Sequence, residues 1–358
     1  MQAEDSNVRK IKVLIVDDSA VVRQVLEAVL SQEHDMSVSV ASDPLIAQQK
    51  MGRERPDVIL LDLEMPRMDG LTFLRKIMAE DPIPTIICSG VAARGTEAAL
   101  RALDEGAVGI FAKPKLGVRN FLYESGVVMT DMVRSAAKAR IQRRYPLPVR
   151  PHVPVSPHSR TPGGDFSSVR IVAIGASTGG TEALTEIMTA MPANAPGIVV
   201  VQHMPEVFTA AFARRLDQLS KIEVKEAEHG DPIASGKALI APGNRHMLVQ
   251  RKGTQSFVEI YDGPLVSRHR PSVDVLFRSV AHAVGADALG IILTGMGNDG
   301  AQGLLEMKNA GAETVAQDEA SCVVFGMPKE AIACGAADSV LPLSKIPGKI
   351  LAMTRGRV

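Results

Sequence analysis

The chain has 358 residues, with 40 Lys+Arg against 40 Asp+Glu and aromatic residues at only 3%. That balance excludes a wholly basic nucleic-acid binder and a strongly acidic solvating chain, and it leaves little for base stacking. At about 150 residues per domain, the length suits roughly two domains with sizeable cores.

Met1 to Lys10 is polar and mixed in charge, which is not the pattern of a signal peptide. Cys88, Cys322 and Cys334 have neither disulfide-framework nor metal-type spacing. No apolar run approaches the ~18 residues of a membrane span. These features predict a cytoplasmic protein with no direct membrane insertion. Short apolar runs at Val13–Val16, Val58–Leu61, Thr85–Cys88 and Val108–Phe111 predict buried strands, with a weaker one at Val38–Val40. Helical patterns follow Ser19, Pro44, Gly70, Gly95 and Arg119.

Residues 1–131 carry 15 basic and 20 acidic residues, whereas residues 132–168 carry 7 basic and one acidic. The second stretch holds six prolines between Pro146 and Pro162 and predicts a semi-rigid linker, although Asp131 to Ile141 can continue a helix. Its basic run serves solubility and spacing, or an electrostatic contact with an acidic surface. Beyond it, Ile171–Ile174, Ile198–Val201, Ala238–Ile240, Leu289–Leu293 and Glu313–Ala316 predict strands. Helices are expected after Thr178, Val207, Ser272, Gly300 and Pro328. The alternation implies two α/β domains at 1–131 and 169–358, each a doubly wound parallel sheet. Chemistry should then cluster at the carboxyl ends of the strands.

In the first domain, Asp17-Asp18 and Asp62 follow predicted strands at once, and Lys113-Pro114 follows Gly109-Ile-Phe-Ala112. Crowded carboxylates repel one another, so a hard divalent cation is their natural neutraliser. The cation would hold a phosphoryl group beside a carboxylate nucleophile, with Lys113 screening its charge. With Met65-Pro66, Asp69-Gly70 and Ser89, this set resembles a response-regulator receiver domain of flavodoxin-like fold over roughly residues 10–130. The resemblance implies phosphorylation of Asp62 by a partner histidine kinase. It implies Mg²⁺ on Asp17, Asp18, Asp62 and the carbonyl of Glu64, and a hydrogen bond from Ser89 to the phosphoryl group. Ile110 stands where receivers often carry an aromatic residue.

In the second domain, Ile171–Ile174 runs into Gly175-Ala-Ser177-Thr-Gly-Gly180. This turn can be a nucleophile elbow presenting Ser177, a dinucleotide loop, or a plain glycine turn. Ser177 occupies the place of the middle dinucleotide glycine, and the next strand ends in Gln202-His203 rather than an acid. A serine nucleophile needs a base, and His203 leaves the neighbouring strand. Asp299, in the glycine-rich turn Thr294–Gly300, can orient that base or simply cap the next helix. The order Ser177, His203, Asp299 is not that of α/β-hydrolases.

That order, with Gln202-His-Met-Pro205, Ala241-Pro-Gly243, His246-Met247, Arg268–Phe277, Leu293–Gly300 and Ala320–Pro328, resembles the chemotaxis protein-glutamate methylesterase family. The resemblance implies a Rossmann-like catalytic domain without a cofactor. It implies a nucleophile at Ser177, base at His203 and orienting acid at Asp299, with Thr178 beside the nucleophile and the Met296 backbone N–H at the oxyanion. It further implies hydrolysis of γ-glutamyl methyl esters on chemoreceptors, and deamidation of receptor glutamines. The receiver would repress this site until Asp62 is phosphorylated. Arg268 and Arg270 can contact acidic receptor helices or be solvated charges. A receiver-controlled adaptor and a receiver-controlled transcription factor are the rival classes; the second lacks a basic recognition helix.

Overall fold

Runs of Val, Ile and Leu cannot leave both faces in water, so they become strands buried between helices. The computed structural model describes residues 9–65, 68–90, 93–113, 119–141 and 170–353. The chain divides into two units, Met1–Pro148 and Val149–Val358. The Pro-rich part of the expected linker, together with Pro66 and Pro114, lies outside the described residues. Among the described residues no helix is long and apolar enough to cross a membrane.

The first unit contains β1 (Ile11–Val16), β2 (Met36–Ala41), β3 (Val58–Asp62), β4 (Thr85–Ser89) and β5 (Gly109–Ala112). They form one sheet in the order β2-β1-β3-β4-β5, with every pairing parallel. Helices α1 (Ala20–Leu30), α2 (Pro44–Arg53), α3 (Gly70–Glu80), α4 (Ala93–Asp104) and α5 (Arg119–Ala136) follow the strands in turn. Ser19, Asp43 and Asp69 cap α1, α2 and α3 through their side chains. β3 and β4 are buried along their whole length, which explains their unbroken apolar runs. β2 lies at the sheet edge and alternates, so its sequence signal is weaker. The strand order reverses between β1 and β3, so the switch point lies at their carboxyl ends.

The second unit contains β6 (Ile171–Ala176), β7 (Gly197–Gln202), β8 (Glu223–Glu226), β9 (Lys237–Ile240), β10 (His246–Lys252), β11 (Gln255–Tyr261), β12 (Ala288–Ile292), β13 (Glu313–Gln317) and β14 (Ser339–Leu341). Seven of these form a parallel sheet in the order β14-β13-β12-β6-β7-β9-β8. β10 and β11 form a separate antiparallel hairpin, which the sequence reading does not anticipate. The helices are α6 (Gly180–Ala190), α7 (Glu206–Leu219), α8 (Val273–Ala283), α9 (Ala301–Asn309), α10 (Met327–Ala333) and α11 (Ile346–Ala352). Val273, Leu276, Phe277 and Val280 of α8 pack into one core with Ile292 of β12 and Leu304 of α9. The order reverses between β6 and β12, so the switch point lies at their carboxyl ends.

α5 runs on to Ala136, into the stretch from Asp131 to Ile141 that can continue a helix. Arg134 explains why: its Nε and Nη2 donate to the two carboxylate oxygens of Asp35 at 2.8 and 2.9 Å, and Nη2 also reaches Glu33. The end of α5 is thereby pinned to the turn entering β2. The Arg134 hydrogen bonds hold the Asp35 carboxyl below the usual carboxylate range, against a smaller opposing effect of burial. Arg134→Gln is expected to destabilise the first unit by about 1.5–3 kcal/mol in urea unfolding. The Asp35 contribution is present above the unfolded value of about 3.9 and is lost as pH falls through the lower folded value. The difference between parent and variant should shrink over that acid range.

Candidate functional site

Ser177 follows the last residue of β6, and His203 follows the last residue of β7. The strand register pairs Ala176 with Gln202, so Ser177 and His203 leave neighbouring strands at the same height. The His203 N–H donates to the Ala176 carbonyl at 3.0 Å. The Gln202 side-chain amide donates to the carbonyls of Ser177 and His203 at 2.9 and 3.1 Å, joining the two turns. The Ser177 N–H donates to the Thr294 carbonyl at 3.0 Å, which ties the turn to the segment leaving β12. Gly295 in that segment lies so close that a Cβ there would stand 2.7 Å from Ser177 Cβ. Only glycine permits that approach.

Asp299 is 1% exposed and sits in the same turn. Its Oδ1 accepts from Ser272 Oγ at 2.7 Å and from the Asp274 N–H at 3.1 Å. Its Oδ2 accepts from the Val273 N–H at 2.7 Å and meets His203 Nε2 at 2.8 Å. Asp299 therefore does not cap the helix that follows it; the N-cap of α9 is Gly300, with no side-chain cap. It caps α8 from across the site. Burial pushes its pKa up, but the bonds from His203, Ser272 and Val273 outweigh this and hold it below the usual carboxylate range.

A carboxylate only accepts, so His203 Nε2 carries the proton in this contact, and in the neutral imidazole that leaves Nδ1 bare. Nδ1 is buried and has no hydrogen-bond partner among the described residues. Its lone pair is therefore free to take a proton from a hydroxyl. The other face of the site holds a residue missed by sequence reasoning. The His269 ring stacks on the His203 ring, with centroids 3.7 Å apart and planes 11° from parallel. Burial and the adjacent His203 push its pKa down to about 3, so it is uncharged at neutral pH. Ser272 was also missed as a site residue. It is legible as an N-cap for α8, but its bond to Asp299 spans 27 residues and leaves no local signal.

Thr178 is half-buried, and its carbonyl accepts from Thr294 Oγ1 at 2.9 Å. Gly295 is held through both backbone groups, to the Val324 carbonyl and to the N–H groups of Gly326 and Met327. The next N–H, that of Met296, has no acceptor among the described residues. A bare imidazole nitrogen, a strand-end hydroxyl and an open backbone N–H can together carry out acyl transfer. Arg270 is not a solvated charge: it donates to Asn244 Oδ1 at 2.7 and 3.1 Å and to the Gly263 carbonyl at 2.6 Å. Arg268 is exposed and adopts φ 67°, in a tight loop with Ser267 at φ 51°.

In the first unit, Asp17 and Asp62 are 1% and 2% exposed, after β1 and at the end of β3. Lys113 Nζ reaches them at 2.9 and 2.7 Å. Oxygen atoms of Asp17, Asp18 and Asp62 lie within 4.8 Å of one another. One ammonium against three carboxylates leaves excess negative charge, and an all-oxygen donor set suits a hard divalent cation. Burial pushes the Asp62 carboxyl up in pKa, with Lys113 only partly opposing it. The Glu64 N–H donates to Asp62 Oδ1 at 3.2 Å. Ser89 Oγ is buried and donates to the Gly95 carbonyl at 3.0 Å, toward α4 and not toward Asp62.

A family model described as CheB methylesterase matches residues 172–350, and one described as response regulator receiver domain matches residues 13–119. The chain is 56% identical over 357 residues to protein-glutamate methylesterase/protein-glutamine glutaminase 5 of Anaeromyxobacter dehalogenans, covering 98% of each chain. It is 55% identical over 353 residues to protein-glutamate methylesterase/protein-glutamine glutaminase 2 of Pseudomonas syringae pv. tomato, covering 96% of this chain and 99% of the other. The crystal structure of the Thermotoga maritima CheB methylesterase catalytic domain is 42% identical, with a TM-score of 0.51 over 52% of this chain and 99% of that one.

Replacing Gln202 with leucine would strand two carbonyls beside the site. Gln202→Leu is expected to cost about 1–3 kcal/mol in urea unfolding of the second unit.

Proposed function

The chain belongs to the CheB methylesterase family joined to a receiver domain, and we propose that Ser177, His203 and Asp299 carry its hydrolytic chemistry under control of Asp62. It is a protein-glutamate methylesterase with protein-glutamine glutaminase activity, a phosphorylation-controlled response regulator of chemotactic adaptation. The observation that carries the residue assignment is the His203–Asp299 contact at 2.8 Å, with His203 Nδ1 left bare.

Ser177 Oγ attacks the γ-carbonyl of a methyl-esterified glutamate as His203 Nδ1 takes its proton. Asp299 stabilises the imidazolium that forms. The Met296 N–H, with Thr178 beside the nucleophile, steadies the oxyanion of the tetrahedral intermediate. Collapse expels methanol, which takes the proton from His203. Water then attacks the acyl-serine by the same route, leaving glutamate and free Ser177. A glutamine side chain follows the same course with ammonia as the leaving group. His269 stays neutral against the base, so it adds no charge that would oppose the imidazolium. No cofactor is needed in this unit.

In the receiver, Asp17, Asp18, Asp62 and the Glu64 carbonyl would hold Mg²⁺, which supplies charge neutralisation for a phosphoryl group on Asp62. The three clustered carboxylates support this assignment. Lys113 screens the remaining phosphoryl charge, and Ser89 exchanges its Gly95 partner for a phosphoryl oxygen. A chemotaxis histidine kinase is the phosphodonor, and the methyl-accepting chemoreceptors are the substrates. The enzyme works in the cytoplasm on the receptors' cytoplasmic helices, without inserting into the membrane or binding nucleic acid.

Methanol released from methyl-esterified receptor membranes tests both assignments, with and without a small-molecule phosphodonor and Mg²⁺. Ser177→Ala should abolish release. Asp62→Asn should keep the basal rate and lose the stimulation. Release unaffected by the first change, or stimulation surviving the second, would overturn the corresponding role.

A further inference from the structure

We propose that His246 is a positioning residue for this reaction, fixing the Ser272 backbone and, through it, the carboxylate that orients the base. This rests on the reading of Asp299 as the partner of His203. His246 is fully buried at the start of β10. Its Nδ1 accepts from the Ser272 N–H at 3.2 Å, and its Nε2 contacts the Pro264 carbonyl at 2.9 Å. A backbone N–H can only donate and a carbonyl can only accept, so the ring is held as one neutral tautomer.

The two partners bracket the loop from Pro264 to Ser272. That loop carries His269, whose ring stacks on His203. Its far end carries Ser272, which donates its hydroxyl to Asp299 Oδ1 and begins the turn whose Val273 and Asp274 N–H groups hold the same carboxylate. One imidazole thus sets both contacts that the base makes, the carboxylate at its edge and the ring on its face. Its neighbours Met247 and Val249 are buried apolar residues. An apolar side chain at 246 would fill the space but leave the Ser272 N–H and the Pro264 carbonyl without these partners, so what histidine adds here is the two polar contacts. Tyr261 tilts against the ring at 5.3 Å and limits its rotation.

The test uses the intact protein, with methanol release as the readout and urea unfolding alongside. His246→Gln keeps a donor for Pro264 and removes the acceptor from Ser272. His246→Asn keeps an acceptor where Nδ1 stood. A misplacement of about 1 Å can cost about 10²-fold. His246→Gln should therefore lower kcat by roughly 10- to 100-fold with KM within about twofold. His246→Asn should recover most of that loss at equal stability. Adding Ser272→Ala to His246→Gln should cost little more than the larger single change, because the two act in one chain. Equal kcat for parent and His246→Gln overturns the proposal, as does an equal kcat loss in the Gln and Asn variants. Release that survives Ser177→Ala overturns the underlying reading, and the proposal with it.

Discussion

A carboxylate buried at 1% exposure needs donors, and the second unit is organised around supplying them to Asp299. Leaving such a charge unpaired costs several kcal/mol. Two backbone N–H groups at the start of α8, the Ser272 hydroxyl and the His203 ring meet that requirement. The first turn of a helix offers N–H groups with no partner inside the helix, and its dipole favours negative charge. α8 is in turn held in place by the core it shares with β12 and α9. The hydrophobic packing of one helix therefore fixes the position of a charge, and the charge holds a proton on His203 Nε2.

The first unit buries acids at the ends of its strands as well, but it resolves the charge differently. Asp17 and Asp62 share a single lysine ammonium, while Asp18 remains exposed. Burial raises the Asp62 pKa, whereas the donors around Asp299 lower its own. The contrast fits the roles proposed for them: Asp299, satisfied within the protein, as a fixed orienting group, and Asp62 as a carboxylate whose pocket a cation and a phosphoryl group would complete.

Much of this arrangement was legible in the sequence because the sheets are parallel. In such folds the residues just past each apolar run lie at one edge, so Asp17, Asp62, Lys113, Ser177 and His203 can be read from within three residues of where the runs stop. Asp299 is six residues beyond Leu293, and its direction could not be read. The structure sends it to α8 rather than to the helix that follows. Edge elements were harder to see. β8 is four residues with charges at both ends, and β14 is three residues long. The hairpin β10–β11 does carry a local cue, Gly253 at φ 61° in a two-residue turn. His269 and His246 had none, because their partners come from distant segments.

The proposed mechanism requires the negative charge on Asp299 to make His203 a base for Ser177. Asp299→Asn keeps the shape of the side chain and removes the charge, so the most direct measurement is kcat and KM for methanol release by that variant, on protein shown to unfold cooperatively. In serine hydrolases a neutral amide at this position presents the wrong imidazole tautomer, at a cost near 10⁴-fold. For Asp299→Asn, kcat should fall about 10⁴-fold with KM within a few-fold of the parent. A kcat within about tenfold of the parent would contradict it.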